Sequence, residues 1–309
     1  MEAWKLAEKT WTDLEEIDPS RAVALLPVGA IEAHGPHLPL NTDVLIAETM
    51  VTRAAELLNE HGMHPLILPP VAYSAARYAE GFPGTISISP ETVTALLLDI
   101  AGSVKRAGIE LIAVANAHLD PAHIGSLRRA SQVCRESNII RFVFPDITRK
   151  PWALRLTDEF KSGACHAGQF EGSIVLATRP DLVRDDVRRG LPDNPASLSD
   201  AIRSGQRTFE EAGGARAYFG YPARATVEEG RATIEILANI LVEAVLAEWP
   251  GGSERPTGTG RRGDAERPTG TDRPGDAERP TGTGRPGEAE RPTGTDRPDE
   301  AERPGGAVA

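Results

Sequence analysis

Between Glu32 and Asp43, one Glu, two His and one Asp fall within twelve residues, set among Gly and Pro in the stretch PVGAIEAHGPHLPLNTD, Pro27 to Asp43. A divalent metal needs two to four nitrogen or oxygen ligands converging on one point, with His supplying neutral nitrogen and Asp or Glu supplying charge-neutralising oxygen. A carboxylate can also bridge two ions, with a hydroxide between them as nucleophile. In an extended segment side chains alternate with period 2, so the sequence EAH sends Glu32 and His34 in similar directions. The turns forced by HGPHLP bring Asp43 back toward them. Other readings stand beside this one: Asp43 with Thr42 suits a helix start, where a carboxylate caps or complements the dipole, and Glu32 with His34 could form a surface pair.

Two further clusters carry the same residue types. NAHLD places His118 and Asp120 after an apolar run, and HAGQFEGS, His166 to Ser173, places His166 five residues before Glu171. If a helix starts near Gly168, Glu171 lies in its first turn, pointing into a cleft or simply complementing the helix dipole. A His beside a metal hydroxide suits proton transfer, because its unperturbed pKa lies near 6.5. Trp152, in KPWALRL, could close over a bound ring or serve in packing.

These residues need elements to bring them together. RAVALLPVG, Arg21 to Gly29, reads as a buried strand, PLILPPV, Pro65 to Val71, as a second, IELIAVAN, Ile109 to Asn116, as a third and IIRFVFP as a fourth. Helical spacing of apolar residues runs through TDVLIAETMVTRAAELLNEHG, and a helix is predicted to open at Ser89–Pro90, with Ser as N-cap and Pro at the first helical position. Further helices are predicted from Pro121, through GQFEGSIVLATRP, and through TVEEGRATIEILANILVEAVLAEW. Strands alternating with helices imply a parallel sheet covered on both faces, whose ligands bind beyond the C-terminal strand ends. Glu32, His34 and Asp43 follow the first strand, and His118 and Asp120 follow the third, so all five are expected on one edge of the sheet.

The 309-residue chain divides by composition. Residues 1–250 form the expected folded domain. Residues 251–309 repeat a 12-residue unit, ERPTGTGRRGDA and its variants, starting at Glu254, Glu266, Glu278 and Glu290, with a truncated copy at Glu302. The units lack Leu, Ile and aromatics, so stacking them would bury nothing, and a disordered tail is expected. That tail carries 10 Arg against 12 Asp or Glu, which leaves −9 of the total −11 on the body. An acidic body argues against general nucleic-acid binding. Two cysteines, Cys134 and Cys165, form no disulfide framework; the N-terminus lacks the apolar core of a signal peptide, and no apolar run reaches the roughly 18 to 20 residues of a membrane span. A cytoplasmic protein is expected.

At these same motifs the sequence resembles the creatininase (creatinine amidohydrolase) family, over roughly residues 15–248. The long first motif, GFPGTISI (Gly81 to Ile88), NAH (Asn116 to His118), HAGQFEGS and GYPARATVEEG each match a stretch characteristic of the family. The resemblance implies a three-layer α/β/α sandwich with a mostly parallel sheet, two divalent ions (zinc first, manganese or iron as alternatives) and hydrolysis of an amide-type C–N bond. Carried over by position, Glu32, Asp43 and His118 would hold one ion. His34, Asp43 and a second carboxylate, either Asp120 or Glu171, would hold the other, with His166 and Glu171 as catalytic groups and Trp152 at the substrate. The resemblance also implies hexamers. Activities in the family include creatinine ring opening, deformylation of a formamidopyrimidine and a peptidase step on a ribosomally made peptide, so a small molecule or a short peptide is the expected substrate class. Departures are visible: the familiar Gly-rich NGHGGN loop reads NAHLDP here, and Cys165 and Asp120 stand where creatininase itself has Glu. A member with altered loops, keeping its metal as a binding or structural element, is the non-enzymatic alternative.

Overall fold

Seven consecutive buried residues, Ala22–Val28, form the central strand β2 of a five-stranded sheet in which every pairing is parallel. The computed structural model describes residues 4–249; the expected tail of 12-residue repeats lies outside them. In chain order the elements are β1 (Trp4–Lys5), α1 (Trp11–Glu15), β2, α2 (Thr42–Glu60), β3 (His64–Ile67), α3 (Pro90–Arg106), β4 (Leu111–Asn116), α4 (Pro121–Glu136), β5 (Arg141–Val143), α5 (Asp158–Ser162), α6 (Gln169–Thr178), α7 (Asp185–Arg189), α8 (Leu198–Arg203) and α9 (Val227–Glu248). The strand order is β1-β3-β2-β4-β5.

Alternation along the strands sorts the core into two layers. Val23 and Leu25 of β2, with Leu111 and Ala113 of β4, pack against Met50, Ala54 and Leu58 of α2 and Leu237, Leu241 and Val245 of α9. Ala24 and Leu26, with Ile112 and Val114, face the other way, onto Val93, Leu97 and Ala101 of α3 and Ile124, Leu127 and Ala130 of α4. The result is the expected three-layer α/β/α sandwich, with its sheet wholly parallel.

The predicted helix start at Ser89 is present: its hydroxyl accepts from Thr92 N at 3.1 Å, and Pro90 takes the first helical position. All four predicted strands are shorter than expected, two of them by half or nearly so. β3 stops at Ile67, because Pro69 and Pro70 offer no N–H to a ladder, and the chain rejoins β2 only through a bridge between Val71 and Val28. β5 keeps only Arg141–Val143. The edge strand β1 and the short helices α1, α5, α7 and α8 were not predicted; elements this short leave little periodicity to read.

The topology sets the site. From β2 the chain runs through α2 to β3 on one side, then crosses to β4 on the other side of β2. The strand order therefore reverses between β2 and β4, and the crevice beyond their C-terminal ends is where such sheets bind ligands. Among the described residues, no helix is long and apolar enough to cross a membrane.

Candidate metal centre

Six buried side chains meet beyond the ends of β2 and β4: Glu32, His34, Asp43, His118, His166 and Glu171, the most accessible of them only 7% exposed. Glu32 and His34 come from the loop after β2, Asp43 from the first turn of α2, and His118 from the loop after β4. His166 and Glu171 flank the start of α6. The loop can fold back this closely because position 29 is Gly: a Cβ there would sit 2.6 Å from Val44 N and 2.8 Å from Asp43 Cβ.

Asp43 is central. Its Oδ1 lies 3.1 Å from His34 Nε2 and its Oδ2 lies 3.0 Å from His118 Nδ1. Glu32 Oε1 stands 3.2 Å from His118 Nδ1 and 3.8 Å from His166 Nδ1, while Glu171 Oε2 stands 3.6 Å from His34 Nε2. Three metal-competent groups follow: Glu32–Asp43–His118, His34–Asp43–Glu171 and Glu32–His34–His166. The helix-cap reading of Asp43 is not what is seen. Asn41 occupies the cap position of α2, without a side-chain cap bond, and the Asp43 oxygens face imidazoles.

Each histidine is held by a backbone carbonyl, which can only accept, so in the neutral, metal-ligating form of the ring the opposite nitrogen carries the lone pair. His34 Nδ1–H donates to Glu32 O at 3.1 Å, His118 Nε2–H to Ala75 O at 2.8 Å and His166 Nε2–H to Ala33 O at 2.9 Å. In every case the free nitrogen is the one turned to the carboxylates. The His118 loop has its own support: Asn116 Nδ2 donates to His118 O at 2.7 Å, its Oδ1 accepts from His123 Nε2–H at 2.8 Å, and Ser74 Oγ–H donates to His123 Nδ1.

Electrostatics show what the site lacks. Among the described residues no Lys or Arg pairs with Glu32, Asp43 or Glu171, so that only imidazoles face the three buried carboxylates, and burying carboxylates without a cation is strongly unfavourable. Burial opposes a charge on His34, yet Asp43, Glu171 and Glu32 outweigh it and push its pKa up to about 10. His118 is driven upward in the same way, against burial, chiefly by Glu32 and Asp43. Asp43, despite burial, is held far below the usual carboxylate range by His34 and His118. Burial pushes Glu171 up to about 8. His166 is lowered by burial and by the neighbouring His34, so its imidazole stays neutral. The demand for positive charge, and ring nitrogens that face the carboxylates and whose protons a cation would displace, fit divalent cations. Ligand atoms of a tetrahedral site with bonds of about 2.1 Å stand about 3.4 Å apart, close to the spacings here.

Asp120 lines the same cleft but belongs to none of the three groups. As N-cap of α4 its Oδ1 accepts from Ala122 N at 2.7 Å, and its Oδ2 accepts from Tyr78 N at 3.3 Å. Of the two candidates for completing the second group, Glu171 is the one in place. Trp152 does not line the cleft; it packs half-buried against the α2–α9 core layer, while its neighbours Ala153 and Leu154 face the cavity. His37, the second His of the first motif, sits edge-on to Tyr218 with ring centroids 6.4 Å apart, outside the groups. Cys165 lines the cleft beside His166 as a free thiol, pushed up by burial and then by Glu171.

Two supports were missed in the sequence. His123 sits in the first turn of α4, in PAHIG, and lacks any local pattern. Glu159, buried in α5, accepts from Gln169 N at 2.8 Å, Phe170 N at 2.6 Å and Tyr221 N at 2.7 Å. It supplies the acceptors that Gly168, at the cap of α6, cannot. Gly220, with φ +81°, leaves room for it: a Cβ there would lie 2.1 Å from Glu159 Oε1. Only three-dimensional placement marks these residues, since the sequence DEF has no capping spacing to α6.

A family model described as creatinine amidohydrolase matches residues 7–245. A mycofactocin precursor peptide peptidase of Mycobacterium ulcerans (strain Agy99) is 31% identical over 236 residues, covering 74% of this chain and 86% of that protein. A creatinine amidohydrolase of Pseudomonas putida is 29% identical over 211 residues, 62% of this chain and 78% of that protein. Among solved structures, a crystal structure of creatinine amidohydrolase (creatininase) superposes with a TM-score of 0.63 at 25% identity, over 81% of this chain and 99% of that one.

Proposed function

The chain belongs to the creatininase family, whose model spans most of its length, and from that premise we propose that it is a two-metal hydrolase of amide-type C–N bonds. One observation carries the reading: Asp43 turns one oxygen toward His34 and the other toward His118, so a single carboxylate is shared between two ligand groups. Glu32, Asp43 and His118 would hold one ion, and His34, Asp43 and Glu171 the other. Imidazole mixed with carboxylate suits zinc, with manganese or iron as alternatives. Two such ions, when bound, polarise an amide carbonyl and supply a water acidified toward neutral pH.

The protein's own groups do the rest. His166 is neutral, and its Nε2–H is committed to Ala33 O, so Nδ1 is free to take a proton and return it to the leaving nitrogen. The Phe209 ring packs against that imidazole, with centroids 4.3 Å apart and the planes tilted by 36°, and restrains its orientation. Glu171 accepts from Ala167 N at 2.6 Å, which ties the ligand to the His166 loop; Ala167 itself is left-handed at φ +51°. Such a backbone costs roughly 1–2 kcal/mol for a residue with a Cβ and persists only where surrounding contacts hold it.

Metal analysis of the purified protein, followed by a screen of cyclic amides, formamides and short peptides, tests the proposal. Two equivalents of metal with turnover of any of these supports it. Metal without turnover of any of them favours the non-enzymatic alternative, a member whose altered NAHLDP loop and Cys165 leave only a binding or structural role. A homo-oligomer, a hexamer by resemblance, and a cytoplasmic location belong to the same proposal. Light scattering tests the first, and the free thiols Cys134 and Cys165 fit the second.

A further inference from the structure

Between α8 and α9 the chain runs through residues 204–226 with no α-helix or strand. Such a stretch has no ladder of its own, so its place depends on bonds to other segments. It carries Phe209, which lines the cleft and packs against the His166 imidazole.

Tyr78, in the loop between β3 and α3, grips this stretch twice. Its carbonyl accepts from Phe209 N at 3.0 Å, and its hydroxyl donates to Gln206 O at 2.6 Å. The two rings lie 6.1 Å apart, and Phe82 of the same loop stands 6.3 Å from Phe209 on its own account. Burial raises the Tyr78 phenol, and Asp120 and Glu211 raise it further, so the hydroxyl keeps its proton and stays a donor. Tyr78 is itself fixed by Asp120, whose Oδ2 accepts from Tyr78 N while its Oδ1 caps α4 at Ala122 N. Both oxygens of Asp120 thus serve backbone donors. A chain of contacts results, Asp120 to Tyr78 to Phe209 to His166, and every member of it lines the cleft.

His166 has use for such a chain. Its ring makes one hydrogen bond among the described residues, Nε2–H to Ala33 O. One bond at one edge leaves the ring able to swing about it, so the aim of Nδ1 depends on the rings packed against it, His34 with centroids 4.4 Å away and Phe209 at 4.3 Å.

We infer that Tyr78 is a positioning residue, which aims His166 through Phe209, and that Asp120 anchors Tyr78 instead of a metal ion. This inference rests on the proposed hydrolase reading, in which His166 carries the proton. Misplacing a reacting group by about 1 Å can cost on the order of 100-fold in rate. Losing one of the two grips on the Phe209 stretch should cost less, about tenfold.

Tyr78→Phe tests it, because it keeps the ring, the main-chain bonds and the cleft lining and removes only the bond to Gln206 O. The full-length, metal-loaded protein is assayed on creatinine, N-formylglycine and triglycine. On whichever probe turns over, kcat should fall about tenfold with KM changed less than about twofold. Phe209→Leu should lower kcat at least as much, and adding Tyr78→Phe to it should lower kcat no further, since two positions acting through one contact are not additive. Hydrogen exchange gives a reading independent of turnover: peptides spanning residues 204–214 and 164–170 should both exchange faster in Tyr78→Phe, with α2 and α9 unaffected. An unchanged kcat, a loss carried by KM alone, or fully additive losses overturn the inference while leaving amide hydrolysis intact. If no probe and no other amide turns over, the hydrolase reading fails, and exchange decides the coupling by itself. Faster exchange in both peptides then upholds the link from Tyr78 to His166; faster exchange in residues 204–214 alone, or in neither, overturns it.

Discussion

Glu171 Oε2 stands 3.6 Å from His34 Nε2, both groups buried, each holding its proton more tightly than it would in an unfolded chain. Burial raises Glu171 to about 8, whereas His34 reaches about 10 because Asp43, Glu171 and Glu32 overcome burial. For both groups the folded pKa lies above the unfolded value. Their contribution to metal-free stability is therefore fully present below the unfolded values of 4.5 and 6.5, and is lost as pH rises through about 8 and about 10. Metal binding must displace the same protons. The rise in melting temperature on adding zinc should therefore be small near about pH 6 and larger near about pH 8.5. An equal rise at both pH values would contradict the shared site.

The Ser74–His123–Asn116 chain predicts a selective loss. His123→Ala removes the shorter of the two hydrogen bonds to Asn116 Oδ1, leaving only His118 N at 3.3 Å, and so loosens the support of the His118 loop. Loss of an outer partner of this kind typically costs roughly 10–100-fold in metal affinity. Competition against a chelator should show one ion weakened by that order, with the far-ultraviolet circular dichroism of the fold retained. Two unchanged affinities would show that the chain only packs.

Glu159 predicts a stability loss from a change that keeps size. In Glu159→Gln, an NH2 must face a backbone N–H that now has a carboxylate oxygen, at Phe170 or at the Gln169–Tyr221 pair. Leaving such a buried donor unsatisfied costs roughly 1–3 kcal/mol. Urea unfolding should show a drop of that size. A midpoint equal to that of the unchanged chain would mean that the start of α6 is fixed by other contacts.

Much of the site was legible because the chemistry sits on strong local signals. β2 and β4 are continuous apolar runs, and the parallel-sheet rule places whatever follows them on one edge. That was enough to group Glu32, His34, Asp43 and His118. The choice between Asp120 and Glu171 was not legible, because it depends on how α6 is swung into the cleft by Glu159, a contact between segments with no shared pattern. Trp152 was ambiguous for a related reason: only two positions along one 3-10 turn separate the packed indole from Leu154, which faces the cavity. β1 and the short helices of residues 157–203 rest on single turns and pairs, below the length at which periodicity speaks.

Asp43→Asn tests the central claim most directly, because it preserves shape and removes the shared charge. A helix-capping role would leave this variant nearly silent, since Asn caps about as well as Asp. A carboxylate shared by two ligand groups cannot be replaced so cheaply. Metal analysis of the purified variant should find both ions depleted, and any amide hydrolysis shown by the unchanged chain should be lost. Full occupancy by two ions with unchanged turnover would contradict the account.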